Sequence, residues 1–444
     1  MSGPGAVGTR AWLAPGAESD PGVTGFDGTF GAAQGWRYGL MGLPLAFVAL
    51  PLYVLLPNHY ARQYGLPLAL LGALLLGVRL LDTVIDPLLG RWADRAPSAS
   101  AVLRRAGVLA LLLALGFGLL LFPPPALQSN LELALWLVAT LALTTLAFSA
   151  LSILHQAWGA QLGGNASTRA RVVAWREGLG LVGVMLASVL PSLLGLAASV
   201  GVFALALALA CWAWGQAPRP SRGATTADAA LLASLRRPWR RPAFARLMAV
   251  FMLNGIASAV PATLMLFFVQ DRLQVPAVWE PAFLGAYFAC AALSLPLWLR
   301  AVGRFGLAPA WALGMGLAVG VFAWAAGLGA GDALAFLGVC ALSGVALGAD
   351  LALPGALLAG VIQRSGDSAQ ATGAYMGWWA CASKANLALA AGLALPAVAW
   401  LGYAPGRTDA AALHTLTLAY CVLPCVLKAA AAALLMVYSR KGWL

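Results

Sequence analysis

Apolar residues recur along this chain in twelve long runs separated by polar breaks. They cover about 37–61, 67–92, 101–122, 132–160, 173–197, 198–215, 243–269, 279–301, 307–328, 334–362, 371–398 and 410–438. Roughly 20 mostly apolar helical residues cross a bilayer core, so the pattern predicts twelve membrane-spanning helices. One break differs from the rest. Residues 216–242 hold six arginines against one aspartate, and the middle of this stretch, DAALLASLRR, reads as a short amphipathic helix lying on anionic headgroups. This basic cytoplasmic linker divides the chain into two six-helix halves, 37–215 and 243–438. Residues 1–36, Gly-rich and polar without a signal-peptide core, read as a flexible cytoplasmic tail, and 439–444 as a second one.

The halves resemble each other. Pro51 and the following LYVLLPNHYARQYGLP have a counterpart 210 residues later in Pro261 with ATLMLFFVQDRLQVP, and Pro87 corresponds to Pro296, 209 residues later. Internal repeats of this kind mark transporters whose site lies at mid-membrane between the repeats. Prolines at 44, 51 and 57 predict a bent first helix lining a cavity.

Composition sharpens the picture. Of 444 residues 61% are hydrophobic and 9% charged, and the mean hydropathy is +0.85, outside the range of soluble domains. The net charge of +12 follows topology: with the N-terminus in the cytoplasm, 20 of the 27 Lys and Arg fall in cytoplasmic segments, three (Arg62, Arg272, Arg407) outside, and four (Arg79, Arg176, Lys384, Lys428) within spans. Both termini are therefore expected inside, with the excess charge facing anionic lipid and not nucleic acid. Arg-rich, Lys-poor composition with abundant Ala, Leu and Gly points to a bacterial inner membrane. All six cysteines lie in predicted spans as packing residues, so neither disulfide, metal site nor cofactor is expected. Without HExxH or a suitably placed GxSxG, an enzyme is not the reading.

The chemistry concentrates in RLLDTVIDPLLGRWADR, residues 79–95. Arg79, Asp82 and Asp86 stand at i, i+3 and i+7 of a helix and share a face. One arginine neutralises one carboxylate, which leaves the other to hold a proton or a metal cation; the alternative is a static buried ion triad. The repeat places Ala291 and Leu295 where the first half has the acids, so cation handling belongs to the N-terminal half. Lys384, near mid-span, must pair with an acid or lose its proton: Asp82 or Asp86 is the preferred partner and Asp350 the rival. Arg176 offers a five-donor fork to a solute or snorkels to the interface, and its neighbour Glu177 should point elsewhere. His155, Gln156 and Trp158 interrupt the fourth span and join the candidate solute contacts. Tyr375, Trp378 and Trp379 are candidate stacking faces beside Trp158, with plain packing as the alternative. Asp94, Arg95 and Asp350 are the candidate cytoplasmic gating residues.

Read together, Arg79, Asp82, Asp86, Pro87, Gly90, Asp94 and Arg95 in the pattern RxxDxxxDPxxGxxxDR resemble the second-helix signature of the glycoside-pentoside-hexuronide:cation symporters of the major facilitator superfamily. GAYMGWWACASKANLALAAG resembles that family's eleventh helix with its functional lysine, here Lys384, and RVVAWREG the start of its fifth helix with a substrate-contacting arginine, here Arg176. The resemblance spans about 37–440. It implies an all-α membrane protein of major facilitator fold, twelve transmembrane helices in two six-helix bundles related by a pseudo-twofold, with Asp82 and Asp86 binding the coupling cation during alternating access. Two departures bear on specificity. Sugar-binding acids of the family are replaced near Ala46 and Asn165, and positions polar in sodium-using relatives are Val78 and Ile85. A sodium ion at Asp82 and Asp86 needs several oxygens and a proton needs one carboxylate, so H+ is preferred to Na+. The expected activity is cation-coupled symport of a small polar or anionic solute, such as a glycoside or uronide, by a monomer. The alternatives are an amphipathic lysolipid-like or acyl-bearing anion as solute, or a sensor that does not transport.

Overall fold

A computed structural model describes residues 30–444 except 128, 221–230, 369, 405 and 444. The predicted N-terminal tail thus lies, for residues 1–29, outside the described residues. The first membrane helix, α1, is assembled from Ala32–Gly39, Gly42–Leu50, a π-helical turn Pro51–Leu55 and Leu56–Gln63. Pro51 cannot donate to the helical ladder, and the wider turn accommodates the lost hydrogen bond. Then follow α2 (Leu68–Asp94), α3 (Ala99–Leu121), α4 (Asn130–Gln161), α5 (Ala166–Leu194) and α6 (Leu196–Gly215).

In the linker, a short helix Leu231–Arg236 and a 3-10 turn Pro238–Arg240 lead into the second half. Its helices are α7 (Pro242–Phe267, extended by a π turn Phe268–Arg272), α8 (Glu280–Phe305), α9 (Leu307–Ala325), α10 (Ala333–Arg364), α11 (Thr372–Trp400) and α12 (Ala410–Thr417, a π turn Leu418–Val422, and Leu423–Arg440). Among the described residues nine of these helices are long and apolar enough to cross a bilayer; α1, α2 and α11 complete the twelve.

Helix starts carry the expected caps. Ser98, Asn165 and Asp409 accept amide protons at the starts of α3, α5 and α12, and Ser129 forms a capping box with Glu132 on α4. Gly195 (φ 81) and Gly306 (φ 84) let α5 pass to α6 and α8 to α9 through one residue, a left-handed backbone that only glycine adopts freely. Exposed apolar side chains such as Val84, Leu111 and Trp212 face outward, the surface that lipid solvates.

All helices run between two ends, one holding the linker and the chain's last helix terminus (the linker end) and one opposite (the far end). The halves are joined through α2 with α11 and α5 with α8 and α10. Glycines set the first contact. A Cβ on Gly90 would lie 2.1 Å from the Gly373 carbonyl oxygen, and one on Gly377 would lie 2.5 Å from the Asp86 carbonyl oxygen, so the two backbones touch where small residues permit it. One buried apolar cluster includes residues from both halves. The far-end core of the second half, including Leu264, Phe268, Phe336 and Tyr420, is a separate cluster. The two bundles are therefore knitted together towards the linker end.

Candidate functional site

Asp82 and Asp86 lie one helical turn apart on α2, 4% and 0% exposed, and both face the seam between the halves. Into that gap α11 sends Lys384. Its Nζ donates to Asp82 Oδ2 at 2.7 Å, Asp86 Oδ1 at 2.9 Å and Ser149 Oγ of α4 at 2.8 Å, and Ser149 Oγ donates to Asp82 Oδ1 at 2.8 Å. The close glycine contact of α2 with α11 is what brings a lysine of one half within reach of two acids of the other. Two carboxylates and one ammonium leave a formal charge of −1 if all are ionised. Asp86 Oδ2 is also 2.8 Å from Nζ without a donor aligned on it, so this buried oxygen is paired in charge but not by a directed hydrogen bond. Asp82 also lines a cavity of about 240 Å³ between α1, α2 and α4, with Leu52, Gly72, Arg79 and Thr145 in its wall, which extends from Asp82 towards the far end. Arg79 itself is exposed and shares the wall of that cavity with Asp82; the cation set between the two acids is Lys384.

At the linker end, Asp94 closes the seam. Its carboxylate accepts from the Gly373 amide (2.6 Å) and the Ala374 amide (2.9 Å), capping α11 from the opposite half at the end where the helix dipole favours negative charge. Arg169 of α5 donates to Gln363 of α10 at 2.8 Å, again across the seam. Arg95, expected beside Asp94, is exposed, and its carbonyl accepts from Arg105.

Asp350 requires a correction: it is no part of the linker-end closure. It sits midway along α10 and takes Lys428 Nζ of α12 at 2.7 Å, Asn254 Nδ2 of α7 at 3.0 Å and Trp311 Nε1 of α9 at 2.8 Å. Lys428 thus answers Asp350 as Lys384 answers Asp82 and Asp86.

The expected solute contacts divide. Gln156, Arg176 and Trp379 share a small cavity of about 20 Å³ between the halves, with Tyr38 and Met376. Arg176 pairs with Glu177, against the expectation that sequence neighbours diverge: the guanidinium, at the end of a long stem, turns back onto the adjacent carboxylate. His155 is fully buried, stacked on Tyr38 at 4.3 Å with Nε2 2.9 Å from the Tyr38 carbonyl. Trp158 is buried against Trp214 and donates to the Pro218 carbonyl at 2.9 Å. Trp378 donates to the Leu235 carbonyl in the linker, and the buried Tyr375 hydroxyl donates to Asp367 at 2.7 Å. These four side chains hold helices and linker together and are removed from the solute contacts. Ser149, Lys428, Asn254 and Trp311 were not singled out as site residues, although a lysine or asparagine deep in an apolar run is the signal that identified Lys384.

Twelve helices in two six-helix bundles, joined along α2–α11 and α5–α8, with ionisable groups facing one another across the seam, define a membrane transporter of the major facilitator fold. The chain belongs to the MFS/sugar transport protein family, which it matches over residues 37–440, in line with the resemblance carried by the second-helix motif. No curated protein sequence matches significantly. Among solved structures, a bacterial homologue of the iron transporter ferroportin in its outward-facing state superposes with a TM-score of 0.68 at 16% identity, covering 92% of this chain and 99% of that one. The E. coli fucose:proton symporter FucP superposes with a TM-score of 0.63 at 14% identity, covering 90% and 98%. At such identities the likeness is one of fold.

Proposed function

We propose that this transporter is a cation-coupled symporter of the inner membrane, with both termini cytoplasmic, in which Asp82 and Asp86 carry the coupling ion and a proton is preferred to sodium. The observation that carries the reading is Lys384 of one half seated between two carboxylates of the other. One ammonium compensates one carboxylate, so the cluster has room for one further positive charge. A proton needs only one carboxylate oxygen, which Asp86 supplies. Sodium would need more oxygens than Asp82, Asp86 and Ser149 have left over from the ammonium. With the linker end cytoplasmic, the conformation is closed inward, and the cavity beside Asp82 serves as the route by which the ion arrives from outside.

Protonation discharges the cluster and weakens its hold on Lys384, so the α2–α11 seam separates at lower cost once ion and solute are aboard. Coupling requires that each ligand favour the same change of state. Gln156, Arg176 and Trp379, grouped between the halves, suit a small polar or anionic solute such as a glycoside or uronide: amide and guanidinium donate to its oxygens, and the indole covers a ring face. Asp86→Asn in proteoliposomes tests this: accumulation driven by an imposed pH gradient should be lost while solute counterflow persists. Undiminished accumulation would refute the assignment.

A further inference from the structure

The Asp350–Lys428 pair differs from the Lys384 cluster in one respect that separates it from transport by rocking. All its members, Asn254 and Ser258 of α7, Trp311 of α9, Asp350 of α10 and Lys428 of α12, belong to the C-terminal half. Motion of one half against the other neither makes nor breaks it.

Its hydrogen bonds leave one vacancy of known sign. Asp350 Oδ1 accepts from Trp311 (2.8 Å) and Asn254 (3.0 Å), and Oδ2 from Lys428 (2.7 Å) and Ser258 (3.3 Å), so the carboxylate is saturated. Lys428 spends two of its three protons, on Asp350 and on Asn254 Oδ1 at 2.8 Å, and has one left. Asn254, donating to the acid and accepting from the lysine, holds the pair in register.

Asp350 and Lys428 form one end of a cavity of about 160 Å³ lined by residues of α7, α8, α9, α10 and α12. From there it rises through about two to three turns towards the far end, flanked by Met265, Tyr287, Phe288, Phe322 and Tyr420. A void of this size in an apolar wall holds a benzene-sized group, and pockets that are mostly apolar with a few convergent polar groups are how proteins take small ligands. A sugar, with a hydroxyl on nearly every carbon, would leave most of those hydroxyls unpaired against such walls.

We propose that this cavity is a binding site for a small aryl or branched-alkyl carboxylate, the apolar body lying among the aromatic side chains and the carboxylate accepting the remaining proton of Lys428. A cationic head is disfavoured, because Asp350, the acid at the floor, is already filled by four donors. The site is separate from the seam, so it stands whether or not Asp82 and Asp86 couple a proton.

The test is equilibrium binding of phenylacetate, benzyl alcohol and benzylamine to the purified full-length protein in nanodiscs, by isothermal titration calorimetry. Phenylacetate should bind saturably and benzylamine at least about tenfold more weakly, the scale of a charge-assisted hydrogen bond gained against one lost. The charge-neutral pair Asp350→Asn with Lys428→Met should bring phenylacetate down to the affinity of benzyl alcohol. Ala346→Leu, which fills the cavity and leaves the ion pair in place, should remove binding of both. Variants that change the fold are recognised by loss of the native melting transition, and Ala346→Leu then carries the test. Absence of saturable phenylacetate binding, benzylamine binding as tight as phenylacetate, or phenylacetate binding undiminished in either variant would overturn the proposal.

Discussion

Lys384→Met isolates the interaction on which the seam depends. The substitution keeps most of the stem and deletes the ammonium that bonds Asp82 (2.7 Å), Asp86 (2.9 Å) and Ser149 (2.8 Å). It leaves two carboxylates, 4% and 0% exposed, facing each other with a formal charge of −2 in place of −1. Removing one partner of a buried ion pair costs about 3–5 kcal/mol. The cost falls on the conformation that presses α11 against α2, lowering its population by roughly two to three and a half orders of magnitude at about 1.4 kcal/mol per factor of ten. The assay is thermal unfolding of the reconstituted protein at several pH values. The variant should melt well below the parent at neutral pH and recover on acidification, because protons replace the lost charge. Charge counting makes a second demand. The double variant Asp86→Asn with Lys384→Met returns the cluster to −1 and should regain much of the loss, giving a non-additive cycle. A melting point equal to the parent's at neutral pH, or strictly additive single and double changes, would refute the reasoning.

Other perturbations follow from the same contacts. Gly373→Ala would put a Cβ 2.2 Å from the Gly90 carbonyl oxygen, an overpacking cost of about 1–3 kcal/mol; a cysteine placed at Ala93 should then be labelled by maleimide several-fold faster, and unchanged labelling would remove the α2–α11 contact as a determinant of closure. Trp158→Phe deletes the hydrogen bond to Pro218 and should lower stability by about 0.5–1.5 kcal/mol with the uptake KM unchanged; a raised KM would return Trp158 to the solute site. In the loop between α10 and α11, burial opposes ionisation of Asp367, but hydrogen bonds from Arg241, Tyr375 and Arg237 outweigh it and hold its carboxyl below the ordinary range. Its contribution to stability is therefore present above the usual carboxylate range and lost as pH falls through the lowered value. Melting curves of Asp367→Asn between neutral and acid pH should show a shallower dependence than the parent, and parallel curves would contradict the pairing.

Much of this architecture was legible beforehand for a physical reason: a bilayer demands long apolar helices, so hydropathy alone counts twelve spans and the basic break separates the halves. Lys384 against Asp82 and Asp86 was legible because a charge in hydrocarbon must find its opposite. Lys428 obeys the same rule, but its partner Asp350, expected as a rival partner of Lys384 and as a gating residue, lies on another helix, a pairing that hydropathy does not reveal. The Arg176–Glu177 pair was not legible because helical spacing governs where Cβ points, while two further methylenes decide where a guanidinium ends. Which way an aromatic ring faces within an apolar run is invisible to hydropathy. Hence Trp158 and Trp378 were proposed for the solute and were found holding chain segments in place.

Asp94 capping α11 has a mechanical consequence. A carboxylate lost from a helix N-terminus costs about 0.5–2 kcal/mol, and water soon replaces it when the halves part. Such a contact acts as a detent: it lengthens the dwell at one end of the stroke and defines where the stroke stops, yet thermal motion releases it without help from any ligand. Direction must then come from what is loaded elsewhere.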